Sequence, residues 1–187
     1  LGRPRFERRY EIIDYVIRTR GFQSYLEIGT STGRSLARVR CTRKVGVDPQ
    51  PRAEPTNWEL RKETSDAFFA ANQERFDCIF IDGLHHAEQV VRDIFHSLAV
   101  LRPKGLILLH DCNPLTERSQ RRERGPDGSG TWNGDVWKAI AFVRRARPDL
   151  FCRVLARDHG IGLLFPIRDG SSPALTPELE SQARAFC

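Results

Sequence analysis

Short apolar segments alternate with amphipathic ones along most of this chain, and the alternation is the strongest constraint on its fold. Apolar segments of strand length occur at 24–28 (SYLEI), 44–48 (KVGVD), 76–82 (FDCIFID) and 105–111 (GLILLHD). Strands that are apolar on both faces are typical of parallel sheets covered by helices on either side. The sequence therefore predicts an α/β fold with a doubly wound, Rossmann-like, mostly parallel sheet and helices on both faces.

The remaining elements follow from spacing and turn signals. We expect helices at 8–19, 33–40, 66–73, 87–101 and 135–146, with Ser65 as the cap of the third. A short strand is expected at 58–63, and strands 151–156 and 160–166 flank a hairpin-like turn at Asp158, His159 and Gly160. That hairpin completes a seven-stranded sheet with an antiparallel edge strand.

We expect one domain over residues 1–187. Within it we distinguish a lead-in helix in 1–20, a variable substrate loop at 113–131 and a loosely ordered tail at 170–187, which is rich in Pro and Ser.

Composition narrows the classes of protein. The apolar runs are far shorter than the roughly 18 residues of a membrane span, and the charged segment LGRPRFERRYE lacks the apolar stretch of a signal peptide. Five cysteines, odd in number and without a CxxC pair, favour a reducing cytoplasm over a disulfide framework. The net charge of +6 is spread along the chain, which favours an arginine-rich solvated surface over nucleic-acid binding.

The segment 25–35, YLEIGTSTGRS, contains a glycine turn directly after the first apolar strand. The turn has neither the third glycine of a dinucleotide fingerprint nor the Lys-Ser/Thr pair of a phosphate-binding loop. Asp48 follows about 20 residues later, where an acid can accept hydrogen bonds from ribose hydroxyls. Each feature alone also fits a tight connection or a strand-end cap; together they predict a nucleoside pocket without a strong diphosphate grip.

Several ordered motifs over residues 8–166 resemble the class I S-adenosylmethionine-dependent methyltransferases, in particular small bacterial domains similar to sugar and natural-product O-methyltransferases. The matching segments are YLEIGTSTGRS, VGVDP, TSDAFF, FDCIFIDGLHHAEQVVRDI, LRPKGLILLHDCNP and WNGDVWKAI. The resemblance implies S-adenosylmethionine as cofactor. It places Glu27 at the methionine ammonium, Asp48 at the ribose and Asp66 at the adenine amino group. The full set of implied cofactor contacts is Glu27, Gly29, Thr30, Ser31, Gly33, Asp48, Ser65, Asp66 and Asp82.

The chemistry is expected where the strands 76–82 and 105–111, the fourth and fifth strands along the chain, end. Asp82 and Asp111 follow neighbouring strands and are candidate ligands of a hard divalent ion such as Mg²⁺. Metal-dependent catechol-type members of the family carry an amide directly after the second acid, whereas this chain has Cys112, a poor ligand for Mg²⁺. His85 is the candidate general base and His110 a second catalytic candidate, with His86 as the alternative. His96 and His159 are expected to be structural.

Three other interpretations stay open on the residues. The first is a zinc hydrolase: the side chains of His85, His86, His110 and Cys112 are ligands of soft metals, but the ligand spacing typical of zinc hydrolases is absent. A non-catalytic cofactor-binding domain would have the same pocket. A methyltransferase acting on RNA or nucleosides is the third, although DGLH replaces the Asn/Asp-Pro-Pro-Tyr/Phe motif of amino-directed members.

The expected acceptor is a small molecule with a sugar, glycan or natural-product hydroxyl. The loop 113–134 is expected to cover it, and its arginines suit a phosphate or carboxylate. Trp132 is a candidate for stacking on the acceptor, while Trp137 shares a helix face with Ile140 and Val143 and is expected in the core. No membrane partner is expected, and a homo-oligomer is left open.

Overall fold

The computed structural model describes residues 6–52, 54–125, 128–168 and 175–187. One sheet contains β1 (Ser24–Ile28), β2 (Arg43–Val47), β3 (Glu59–Arg61), β4 (Phe76–Ile81), β5 (Leu101–Leu109), β6 (Leu150–Leu155) and β7 (Ile161–Pro166). The order across the sheet is β3-β2-β1-β4-β5-β7-β6. β7 runs antiparallel to β5 and β6, and the remaining neighbours are parallel. The predicted fold class is thus confirmed.

Helices cover both faces of the sheet. They are α1 (Arg9–Arg20), α2 (Arg34–Arg38), α3 (Ser65–Ala71), α4 (Ala87–Val100), α5 (Val136–Ala146) and α6 (Pro177–Phe186). Alternate strand residues join two separate apolar clusters, because successive side chains of a strand point to opposite faces. Tyr25 of β1 belongs to the cluster with Ile13 of α1, whereas Leu26 belongs to the one with Ile94 of α4. None of the helices in the described ranges combines the length and apolarity needed to cross a membrane.

The prediction of a loosely ordered tail is wrong for its last part, which forms α6. Thr176 accepts a hydrogen bond from the backbone N–H of Leu179, and Pro177 opens the helix, a position where proline fits well. Ala183 is buried, and α6 packs against α4 and α5. Residues 169–174 of the predicted tail lie outside the described residues.

Two local predictions also change. The cap of α3 is Thr64, whose hydroxyl accepts from the backbone N–H of Ala67 at 3.2 Å, so Ser65 is the first helical residue. Trp137 lies 37% exposed, although Ile140 and Val143 on the same helix are buried. Helical spacing alone therefore placed Trp137 in the core wrongly.

The sheet topology brings the predicted site residues to one edge. Backbone hydrogen bonds join Gly29 to Val47, Asp82 to Ile28 and His110 to Ile81, so the segments that follow β1, β2, β4 and β5 are held side by side. This is the edge beyond the carboxyl ends of the parallel strands, where ligands bind in open α/β sheets.

We expect Lys44→Met to lower the free energy of unfolding by about 1–3 kcal/mol, because it leaves buried acceptors without a donor. The Lys44 ammonium is buried and donates to the carbonyls of Leu36 and Val39, at 2.7 and 3.2 Å, and to Asn57 Oδ1 at 3.0 Å. Urea denaturation followed by circular dichroism measures the change.

Arg43→Met is the matched control on the same strand, since Arg43 is only half-buried and forms ion pairs near the surface with Glu59 and Glu74. Such pairs contribute at most about 1 kcal/mol. Equal losses in the two variants would contradict a special role for the buried ammonium.

Candidate active site

A cavity of about 1020 Å³ opens at the carboxyl edge of the sheet. It brings together most of the residues predicted from the sequence: Gly29, Ser31, Asp48, Ser65, Asp66, Asp82, His85, His110 and Asp111. Among the described residues, Glu27, Thr30 and Gly33 do not contribute to its lining. The predicted set is therefore one spatial cluster with three members set back from the surface of the cavity.

The glycine turn is held in place by the carboxylate of Asp48. Asp48 Oδ2 accepts from the backbone N–H groups of Thr30 and Ser31, at 3.0 and 2.8 Å, and Oδ1 accepts from that of Gln50 at 2.8 Å. Gly29 has a positive φ of 84°, and a Cβ there would lie 2.1 Å from the carbonyl oxygen of Asp82. A side chain at Gly29 is thus excluded by both strain and space. Asp48 and the turn form one unit that positions the carboxylate at the cavity.

Glu27 lies inside the protein on the same strand face as Tyr25. Its side chain is 3% exposed, and Oε2 accepts from the Tyr25 hydroxyl at 2.5 Å. Burial raises the pKa of Glu27 to about 8, with the Asp82 charge adding to the effect and the Tyr25 hydrogen bond opposing it. The carboxyl group is therefore mostly protonated at neutral pH unless a cation approaches it.

Ser65 and Asp66 line the cavity from the first turn of α3. Gln89 of α4 donates to both side chains at 3.2 Å, and Arg92 lies 3.4 Å from Asp66 Oδ2. These contacts fix the two side chains relative to α4. The Asp66 carboxylate thus lies at the cavity near β2, whereas Asp82 and Asp111 lie further along the sheet, after β4 and β5.

Asp82, His85 and Asp111 form the cluster that suits metal binding. Each offers a ligand atom, and the three atoms lie within 4.8 Å of one another. His85 Nε2 is 3.6 Å from Asp82 Oδ1 and 3.3 Å from Asp111 Oδ2. Two carboxylates with one imidazole suit Mn²⁺ or Mg²⁺ better than a soft ion. Neither His86 nor Cys112 is part of this cluster, which speaks against the zinc alternative.

His110 is surrounded by acids. Its ring nitrogens lie 3.3 Å from Asp82 Oδ1, 3.1 Å from Asp111 Oδ2 and 3.8 Å from Asp158 Oδ2. Burial lowers the pKa of His110, but the Asp82 charge and hydrogen bonds to the three carboxylates outweigh it and raise the pKa to about 11. Arg9 Nη1 lies 2.7 Å from both ring nitrogens, a contact that favours a neutral ring because a guanidinium only donates. The three carboxylates prevail over that single cation.

Arg9 and Asp158 are site residues that the motif analysis missed. Arg9 Nη1 lies 3.3 Å from Asp82 Oδ2, and the backbone N–H of Arg9 donates to Asp158 Oδ2 at 2.7 Å. Burial opposes ionisation of Asp82, but His110, His85 and Arg9 together hold its pKa well below the ordinary value. His159, predicted to be structural, also lines the cavity.

His86 and Cys112 face away from the cluster. His86 is the residue before α4, and its Nε2 lies 3.4 Å from Glu123 Oε1. The Cys112 thiol is buried and contacts the carbonyls of Leu109 and His110, at 3.7 and 3.4 Å. Burial raises the pKa of this thiol far above its ordinary value, so it stays neutral.

The end of the loop 113–134 closes one side of the cavity. Thr131 and Trp132 line it, and the Trp132 ring stacks on His85 with centroids 4.8 Å apart. The Trp132 indole N–H donates to the carbonyl of Arg121, which ties the ring to the loop. Trp132 thus contacts the candidate base through one face of its ring while lining the cavity, and its stacking on an acceptor stays a prediction.

We expect Glu27→Gln to make stability less dependent on pH. The unfolded chain ionises Glu27 near the ordinary pKa of 4.5, whereas the folded chain does so near 8, so the wild-type protein loses stability as pH rises between these values. The glutamine variant lacks this loss. Its free energy of unfolding, relative to wild type, should rise by up to about 1.4 kcal/mol per pH unit over that window and stay constant above it.

Urea denaturation of both proteins at several pH values from 5 to 9 measures this difference, and all other titrating groups cancel in the comparison. A difference that is constant across the range would show that Glu27 ionises normally in the folded state.

The comparisons with known proteins agree with this geometry. Residues 26–112 match the family model described as a methyltransferase domain, and no curated protein sequence matches the chain. A Podospora anserina methyltransferase bound to S-adenosylhomocysteine superposes with a TM-score of 0.64 at 16% identity, covering 86% of this chain and 78% of that one. An O-methyltransferase from Bacillus cereus, in complex with the same product, gives 0.54 at 18% identity, covering 84% and 80%.

The O-methyltransferase TomG from Streptomyces achromogenes, in complex with S-adenosylmethionine, gives a TM-score of 0.58 at 14% identity, covering 84% of this chain and 78% of that one. At these identities the superpositions show a shared fold. The chain thus has the fold of these methyltransferases, and its residues 26–112, which include the glycine turn and the acids at the carboxyl edge, match the model of a methyltransferase domain.

Proposed function

We propose that this chain is a class I S-adenosylmethionine-dependent methyltransferase that acts on a hydroxyl oxygen of a small sugar-containing or otherwise hydroxylated metabolite. The observation that carries the proposal is the convergence of Asp82, His85 and Asp111 on a cavity that Asp48 also lines. A hydroxyl acceptor needs its proton removed or its developing charge stabilised, and this cluster contains groups for both tasks.

On the cofactor side, we propose that Asp48 accepts from the ribose and that Asp66, with Ser65, contacts the adenine. Of the turn residues, Gly29 and Ser31 lie against the methionine portion directly, whereas Thr30 and Gly33 support the turn from behind the cavity surface. Glu27, which is also set back, holds the methionine ammonium directly or through water, and Asp82 completes the contacts. S-adenosylmethionine supplies an electrophilic methyl group on a sulfonium. The protein must align the acceptor oxygen with that methyl carbon and sulfur, and rigid anchoring of both partners is the main means of doing so.

For proton transfer we propose His85 as the general base. Its ring lines the cavity, and the nearby Asp82 and Asp111 carboxylates stabilise the imidazolium that forms when the ring accepts the acceptor's proton. His110 is already held as a cation by its three carboxylates, so we assign it a charge-balancing role in the site.

A divalent ion is the second component that we propose for this site. Asp82 and Asp111 would hold it, and the fit of their oxygens with a nearby imidazole supports this. The ion would supply Lewis-acid stabilisation of the acceptor oxygen. His85 is a donor in the same cluster, so base and ligand are competing roles for it that chelation experiments separate.

The basic residues around the cavity support an acceptor with an acidic group. Arg8, Arg9 and Arg52 line it, and guanidinium groups suit phosphate or carboxylate. The five cysteines are unpaired, which supports work in a reducing compartment such as the cytoplasm.

The first test is calorimetric titration of S-adenosylhomocysteine into wild type and Asp48→Ala. Loss of charge-assisted hydrogen bonds to the ribose should weaken binding by about 10- to 100-fold. Asp14→Ala is the matched control: Asp14 also accepts from a backbone N–H, that of Arg40, but it is not part of the cavity lining.

Equal binding by the two variants would remove Asp48 from the cofactor site. A wild-type protein that binds no S-adenosylhomocysteine would overturn the proposed cofactor site altogether.

The second test concerns the base. We expect His85→Gln to lower kcat by about 10²- to 10⁴-fold while leaving the affinity for S-adenosylhomocysteine unchanged, because the loss lies in proton transfer. A panel of sugar nucleotides, uronic acids and catechols, assayed with methyl-labelled cofactor and mass spectrometry, identifies an acceptor for the measurement. His86→Gln is the control, since the neighbouring ring contacts Glu123 instead. Full activity of His85→Gln would exclude this residue as the base.

A further inference from the structure

A buried amide from outside the sheet holds one of the two acids of the metal-suited cluster. Asn133 is 1% exposed, and its Nδ2 donates to Asp111 Oδ1 at 2.5 Å across 22 residues of sequence. Its amide oxygen is also buried and has no hydrogen-bond partner within the described residues. An amide this deeply buried beside a carboxylate is costly unless it serves a specific contact.

Because of the hydrogen bond from Asn133, the two oxygens of the Asp111 carboxylate have different partners. Oδ1 accepts from Asn133, while Oδ2 faces the site, 3.3 Å from His85 Nε2 and 3.1 Å from His110 Nδ1. Asp111 also has a positive φ of 59°, a region that non-glycine residues rarely adopt. The Cα–Cβ bond of Asp111 therefore has an unusual direction, and the Asn133 amide fixes the final position of the carboxylate.

Asn133 itself is rigidly anchored to the rest of the site. Its backbone N–H donates to the carbonyl of Ser119 at 2.7 Å, and that of Asp135 donates to the carbonyl of His85 at 3.2 Å. The Asp135 carboxylate accepts from the backbone N–H of Ala87 at 2.8 Å. At Gly134 a Cβ would lie 2.1 Å from the carbonyl oxygen of His85, so the segment touches the His85 backbone directly.

We propose that Asn133 is a positioning residue that sets the orientation of Asp111 toward Asp82 and His85, and thereby the affinity of this cluster for a divalent cation. The inference rests on the metal site proposed above. Hydrogen-bond partners of metal ligands typically change affinity by about 10- to 100-fold when removed. Cys112, the residue next to Asp111, cannot take this role because its thiol contacts backbone carbonyls.

The test is titration of Mn²⁺ into the protein saturated with S-adenosylhomocysteine, followed by electron paramagnetic resonance of the free ion. Asn133→Ala removes the donor, and Asn133→Asp keeps the shape but replaces the donating NH₂ by an acceptor. We expect both to weaken Mn²⁺ binding by at least about tenfold and to leave S-adenosylhomocysteine affinity within about twofold of wild type.

Ser119→Ala is the matched control. Ser119 is 3% exposed in the same loop, and its hydroxyl contacts Thr116 rather than the cluster. The backbone carbonyl that anchors Asn133 is retained in this variant, so Mn²⁺ should bind as in wild type.

Each other outcome overturns a distinct claim. Mn²⁺ binding by the Asn133 variants at the control's affinity would leave the metal site standing and remove Asn133 from it. Tighter binding by Asn133→Asp would show that the side-chain oxygen is a ligand rather than a support. Parallel loss of Mn²⁺ and S-adenosylhomocysteine binding would reduce Asn133 to a structural anchor. A wild-type protein that binds S-adenosylhomocysteine but no Mn²⁺ would overturn the metal site and this inference together, while the methyltransferase function would stand.

Discussion

The two acids that follow β4 and β5, half-buried Asp82 and buried Asp111, are the constraint on which the rest of the site depends. A carboxylate out of water costs several kcal/mol unless cations and donors surround it. Asp82 obtains them from Arg9 at the start of α1, from His110 after β5 and from His85 before α4. Arg9 and His110 also contact Asp158 in the turn before β7, so the charge cluster holds both α1 and that turn at the edge of the sheet where the cavity opens.

Most of this arrangement follows from strand direction, so the sequence alone was sufficient to predict that the acids lie at one edge of the sheet. Parallel strands end at one edge, so Asp48, Asp82 and Asp111 were predictable as neighbours. The same rule, carried further, would have found the two residues that were missed. A helix joined to β1 by a short turn runs back along the sheet, which brings Arg9 to that edge. A strand antiparallel to β5 begins there, which brings Asp158.

Other features could not be read from local patterns. Asn133 reaches Asp111 through a loop whose path depends on contacts with Ser119 and His85, and no spacing rule encodes such contacts. Trp137 has the helical spacing of a core residue, yet whether its side chain is buried depends on how α5 packs on the sheet. The polar sequence of α6 resembles a tail, and its helix is stabilised by packing on α4 and α5 more than by its own propensity.

Glu27 shows how the site departs from what stability alone would favour. A glutamine would accept the Tyr25 hydrogen bond without a buried ionisable group, so the carboxyl has a cost that the fold does not require. A cationic ligand would explain why a carboxyl group is present, because the approach of a cation favours the ionised carboxylate over the protonated form. Binding of an ammonium group would then be coupled to release of the Glu27 proton near neutral pH.

The charge balance at the other end of the site bears on the chemistry. Asp82, Asp111 and Asp158 bring three negative charges, and Arg9 with protonated His110 bring two positive ones, which leaves one net negative charge. An acceptor oxygen that loses its proton there develops charge of the same sign. When His85 takes this proton, its new positive charge only balances the negative charge left on the acceptor. A divalent ion, in contrast, changes the net charge of the site from negative to positive. A phosphate or carboxylate on the acceptor adds further negative charge, so an acidic acceptor increases the need for the ion, or for Arg8 and Arg52 at the cavity.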